Sequence, residues 1–117
     1  MFGSRPAPTD TPLQINAAMK RGDVVLVDVR ERNEHAAECI EGALLRPLSQ
    51  FDAAALPQAG VEIVLHCGSG KRSQTAFEAC RRAGVTVRSH MAGGIQAWKA
   101  AGLPVAPASE LRDGPKT

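Results

Sequence analysis

The sequence predicts an α/β domain: a central, mainly parallel sheet flanked by helices on both faces. Three observations carry this expectation. Strand and helix signals alternate along the chain, as in strand–helix–strand units. The run VVLVDV over residues 24–29 is almost wholly apolar, the pattern of a strand covered on both faces, and EIVLH over residues 62–66 is a second. The 117 residues, 44% hydrophobic and 22% charged, fit one globular domain that buries a core without disulfides or structural metal.

Residues 1–10 contain Pro6 and Pro8 and read as a flexible leader. Thr11 opens a helix, with Pro12 suited to the first turn and Gln14 completing a capping box. Ile15, Ala18 and Met19 share one face of it, and Gly22 stops it. After the strand at 24–29, residues 31–38 form a short helix and residues 43–46 a short strand ended by Pro47. Ser49 caps a short helix running to about Ala55. The strand at 62–66 leads through a loop into a helix over 73–83, stopped by Gly84. A strand over 86–91 and a helix over 94–101, ended by Gly102 and Pro104, complete the domain. Residues 106–117 read as a polar tail, which leaves 11–105 as the domain.

Composition removes several classes of function. Fourteen basic residues against 12 acidic ones give a net charge of +2, too even for a nucleic-acid binder. The four aromatics are Phe2, Phe51, Phe77 and Trp98, too few for a platform that stacks bases. No apolar run approaches a membrane span, and the N-terminus has no signal-peptide core, so a cytoplasmic protein is expected. Cys39, Cys67 and Cys80 contain no C-x-x-C pair, which argues against a disulfide framework or a zinc site; no metal or cofactor is expected.

In such sheets, sites lie beyond the C-terminal ends of the strands. Two segments qualify: Asp28 to Glu31, and Cys67 to Ser73. In the second, a buried strand ends at a cysteine, five residues with two glycines follow, and a helix begins. Glycines let backbone N–H groups turn toward one centre. The helix start adds unpaired N–H groups and the positive end of its dipole, and Lys71 and Arg72 add charge. An anion is favoured at Gly68, Ser69, Gly70, Lys71, Arg72 and Ser73. The same field lowers the pKa expected for Cys67 and makes its thiolate a nucleophile aimed at an anionic substrate.

From about Leu13 to Val105 the chain resembles a single-domain rhodanese. The resemblance rests on DVRE (28–31), Glu34, I-x-G-A (40–43), LHCGSGKRS (65–73) and GGIQAWKAAGLPV (93–105), in that order. It implies the rhodanese fold and a sulfurtransferase acting through a Cys67 persulfide. A small anionic donor such as thiosulfate would lose its outer sulfur to Cys67, and a thiol, a protein thiol included, or cyanide would accept it. The opening C-G-S-G resembles a mercaptopyruvate sulfurtransferase loop, whereas Lys71-Arg72 suits the divalent thiosulfate. The alternatives are a non-enzymatic sulfur relay or docking module and, less favoured, a phosphatase of the same fold, whose loop is one residue longer.

Other residues read more simply. Asp28 and Arg30 are expected to support the loop as a buried carboxylate and its cation. The chain departs from the family's E-aromatic-x-x-G-H-I-x-G-A at His35, Glu38 and Cys39, so no role of that histidine carries over. Cys39 reads as a small buried residue rather than a second redox thiol. His66 adjoins Cys67 but points to the opposite face of its strand. His90 has no visible partner. Cys80 and Trp98 read as core, and the cations Arg81 and Arg82 suit a helix end.

Overall fold

The computed structural model describes residues 5–57 and 60–111; the ends of the expected leader and tail lie outside them. Five strands form one sheet in the order β1-β5-β4-β2-β3: β1 (Thr9–Asp10), β2 (Val24–Asp28), β3 (Leu44–Leu45), β4 (Glu62–His66) and β5 (Ser89–Met91). Every pairing is parallel. The helices are α1 (Pro12–Lys20), α2 (Arg32–Ala37), α3 (Lys71–Arg82) and α4 (Gly94–Ala100). No described helix is long and apolar enough to cross a membrane.

Alternation along the strands sorts the core into two layers. Val24, Leu26, Val64 and Met91 pack with Ile15 of α1 and with Ile95 and Trp98 of α4. Val29, Ile63, Leu65 and Cys67 pack on the other face with Ala76, Phe77 and Cys80 of α3. Trp98 is 2% exposed and donates its indole N–H to the Pro104 carbonyl at 2.9 Å, so it anchors α4 through both shape and polarity. The capping box at Thr11 and Gln14 is present in both directions, at 3.2 and 2.8 Å.

Several expectations need correction. Thr9 and Asp10, placed in a flexible leader, form an edge strand on β5, because sheet pairing satisfies their backbone where side chains give no signal. Ala106, placed in the tail, pairs antiparallel with Cys39. The helix expected from Ser49 is two 3₁₀ turns, Leu48–Gln50 and Ala53–Ala55. Asp52 caps the second, while the Ser49 hydroxyl donates to Glu31. The strand expected over 86–91 is confined to Ser89–Met91. α3 begins two residues earlier than expected, at Lys71, because Gly70 takes a left-handed φ of +113° and starts the helix itself.

Candidate active site

The loop from Cys67 to Ser73 leaves β4 and closes on its own sulfur. The Gly70 amide donates to Cys67 Sγ at 3.1 Å and the Ser73 amide at 3.2 Å. The Cys67 thiol lies 3.6 Å from Ser73 Oγ. The loop's first carbonyls turn the other way: Cys67 O accepts from the Ile95 amide at 2.8 Å and Gly68 O from the Gln96 amide at 3.2 Å. The first turn of α4 thus holds the outside of the loop while the N–H groups line its inside. A side chain at Gly94 is impossible without displacement, since a Cβ there would stand 2.5 Å from Cys67 O and from Gly68.

Burial pushes the Cys67 thiol up. The Ser73 hydroxyl and the amides of Ser73, Gly70 and Ser69 outweigh it, and the pKa lies below the ordinary thiol value. The direction matches the sequence expectation; the leading cause is different. The sequence credited Lys71 and Arg72 along with the helix start. Arg72 instead forms a two-pronged ion pair with Glu34, at 2.7 and 3.0 Å, which offsets its charge. That bond holds the Glu34 carboxyl below its usual range. Lys71 is exposed and has no ion-pair partner among the described residues. Ser69, Gly70 and Lys71 line a groove together with Gln74, His90 and Gly93. Gly68 is half-buried beneath the Arg72 guanidinium.

Asp28 and Arg30 lie on another face. Asp28 is completely buried and accepts from the Arg30 backbone at 2.9 Å and from its guanidinium at 2.9 to 3.2 Å. Burial raises its carboxyl, but Arg30, His66 and His35 together hold it below the usual range. Arg30 continues to the Glu38 carbonyl at 2.7 Å. The pair therefore ties the end of β2 to α2, and α2 reaches the loop through Glu34 and Arg72. His35, which stands where the family carries an aromatic, puts Nδ1 2.8 Å from Asp28 Oδ2.

The remaining candidates separate cleanly. His66 sits opposite Asp28 in the β2–β4 register, away from Cys67, as strand alternation requires. Burial lowers its pKa, and its Nε2 has no hydrogen-bond partner among the described residues. Cys80 is pushed up to about 11 by burial, and Cys39 is raised by burial and by Asp28; neither resembles a reactive thiol. The reading of His90 as partnerless is wrong: its Nδ1 lies 2.7 Å from Ser73 Oγ. β5 is parallel to β4 and Leu65 pairs with His90, which puts His90 on the face of Cys67; only the register shows this, so the sequence carried no signal for it. Among the described residues no group of three or more His, Cys, Asp and Glu side chains is gathered to hold a metal.

Residues 11–101 match the model of the rhodanese-like domain. The chain belongs to this family. An uncharacterised protein of Synechocystis is 43% identical over 97 residues, covering 82% of this chain and 54% of its own length. The probable adenylyltransferase/sulfurtransferase MoeZ of Mycobacterium tuberculosis is 37% identical over 95 residues, covering 77% of this chain and 24% of its own. The chain thus spans about half, or less, of these curated relatives. The human thiosulfate:glutathione sulfurtransferase is 29% identical over 107 residues, covering 79% of this chain and 93% of its own. A rhodanese-related crystal structure from Thermoplasma volcanium superposes with a TM-score of 0.75 at 25% identity, over 85% of this chain and 97% of that one. This rhodanese-like domain therefore has sulfurtransferases among its relatives, and its parallel sheet is the family's.

Proposed function

We propose that this rhodanese-like domain is a sulfurtransferase that moves a sulfane sulfur from a small anionic donor, thiosulfate or a persulfide, to a thiophilic acceptor through Cys67. One observation carries the reading: Cys67 Sγ sits in a closed cup of N–H groups, with Gly70 and Ser73 donating at 3.1 and 3.2 Å. Such a cup stabilises a thiolate, and it stabilises the terminal charge of a persulfide by the same geometry. In the first step the Cys67 thiolate forms a bond to the outer sulfur of thiosulfate. The sulfur–sulfur bond of the donor breaks, and its electron pair leaves with sulfite. In the second step a thiolate acceptor, or cyanide in an assay, attacks the terminal sulfur of the persulfide and restores the Cys67 thiolate. Gly68, Ser69, Gly70, Lys71, Arg72 and Ser73 shape the anion site, and Asp28 and Arg30 support it through α2. No cofactor enters the scheme.

Thiosulfate:cyanide turnover tests this, with Cys67→Ser and Cys80→Ala beside the wild type. Loss of at least a hundredfold in Cys67→Ser with retention in Cys80→Ala is expected. A folded wild type with no sulfur transfer, from thiosulfate or from a low-molecular-weight persulfide, would return the domain to a docking role. Hydrolysis of an aryl phosphate in its place would make it a phosphatase.

A further inference from the structure

The Ser73 hydroxyl has one proton and three neighbours that can take it. Cys67 Sγ lies at 3.6 Å, the Gly70 carbonyl at 3.2 Å and His90 Nδ1 at 2.7 Å. The Gly70 carbonyl already accepts from the Gln74 amide at 3.1 Å, so it competes least for that proton. The remaining arrangement is a chain of three groups, sulfur to hydroxyl to imidazole, on one face of the sheet.

From this geometry we propose that His90 is a positioning residue that governs the proton on Cys67 through the Ser73 hydroxyl. The inference rests on the reading of Cys67 as the nucleophile. Two states of the chain differ by a concerted shift of two protons. In one, the Cys67 thiol donates to Ser73 Oγ, and the hydroxyl donates to bare His90 Nδ1. In the other, the thiol proton has passed to Ser73 Oγ as the hydroxyl's own proton passed to Nδ1. That leaves a thiolate accepting from the hydroxyl and an imidazolium donating to it. Charge is conserved, no external base is consumed, and the hydroxyl proton faces sulfur only when Nδ1 carries its own.

The surroundings suit this role. His90 is 6% exposed, and its ring is 6.4 Å from that of Phe77. Burial holds its pKa below the ordinary histidine value, so at neutral pH the ring stands with a nitrogen free to accept. The elements packed on its side of the sheet bring Cys67 at the end of β4 and, from α3, Lys71, the buried Cys80, whose thiol burial keeps protonated, and Arg81, which lies over the Phe77 ring and pairs with Glu78. Arg72 is turned to Glu34, and Asp10 of β1 is turned to Ser89 and Arg88. Lys71 lines the same groove as His90, and the Cys67 thiolate, reached through Ser73 Oγ, is the negative group whose presence favours imidazolium.

Two titrations on the full chain read the coupling. The first follows alkylation of Cys67 by iodoacetamide from pH 5 to 9, quantified on its own peptide, in wild type and His90→Asn. Asparagine keeps a hydrogen-bonding atom near the place of Nδ1 but cannot titrate. The midpoint is expected to rise by about one pH unit in the variant, about tenfold slower alkylation on the acid side. The second follows the His90 ring by NMR in wild type, Cys67→Ala and Ser73→Ala. Linkage is reciprocal, so removing the thiolate is expected to lower the His90 midpoint by a similar amount, and Ser73→Ala to lose most of that shift. An unchanged alkylation profile in folded His90→Asn, or a His90 midpoint indifferent to Cys67→Ala, overturns the proposal. A His90 midpoint that does not move in Ser73→Ala overturns it as well. If the coupling is present but the wild type transfers no sulfur, the functional reading fails and the relay stands.

Discussion

At Lys71 and Arg72, adjacent cations are placed in different circumstances. Arg72 shares its charge with Glu34 across 2.7 Å, whereas Lys71 stands exposed at the groove. Their contributions to donor binding should therefore differ in kind. Lys71→Gln is expected to raise the KM for thiosulfate about threefold with little change in kcat, since one exposed charge attracts bound donor and transition state alike. Added salt should erase most of that difference. Arg72→Gln is expected to cost about tenfold, because it leaves the Glu34 carboxylate facing the donor and unties α2 from the loop. The paired variant Glu34→Gln with Arg72→Gln should then bind donor better than Arg72→Gln alone. Steady-state kinetics on the four proteins check this; a double variant as weak as Arg72→Gln would mean that the ion pair is not what screens the loop.

At the scale of elements, the junction between the loop and α4 is the most constrained. Gly93 and Gly94 have φ of +74° and +61°, and the helix they open donates two amides to the outside of the loop. Gly94→Ala brings both a left-handed backbone and a contact of 2.5 Å against Cys67 and Gly68, so a loss on the order of 3 kcal/mol is expected. Gly22, with φ of +77° and open space around its absent side chain, is the control, and Gly22→Ala should cost about 1 kcal/mol. Urea midpoints at unchanged slope measure the two. Gly94→Ala is also expected to slow Cys67 alkylation at neutral pH, since a displaced loop no longer aims its amides at the sulfur.

For the whole molecule, acid is expected to act in two stages. Burial lowers the pKa of both His66 and His90 in the folded state, so the unfolded chain binds their protons more readily. Their contribution to stability is complete above about pH 6.5 and falls as the pH drops below it. Asp28 has a depressed folded pKa, so its contribution is complete above about pH 4 and is lost only in stronger acid. The urea midpoint should thus decline between pH 7 and 5, before carboxylates titrate, and His66→Gln should flatten that decline. A flat wild-type profile over this range would mean that neither buried ring resists protonation. The sequence by itself determined the alternating architecture, the position of β2 and β4, the capped start of α1 and the convergence of glycines and a helix start on Cys67. These are legible because apolar runs, turn residues and caps act within a few positions of one another. Strand alternation also placed His66 away from Cys67 before any contact was known. What only the tertiary structure decided lies between distant segments. Thr9 and Asp10 gain a strand from β5, Ala106 pairs with Cys39, Glu34 takes the charge of Arg72 across 38 positions, and His90 meets Ser73 across 17. Each depends on which strands lie side by side and in what register, and local propensity carries no record of that.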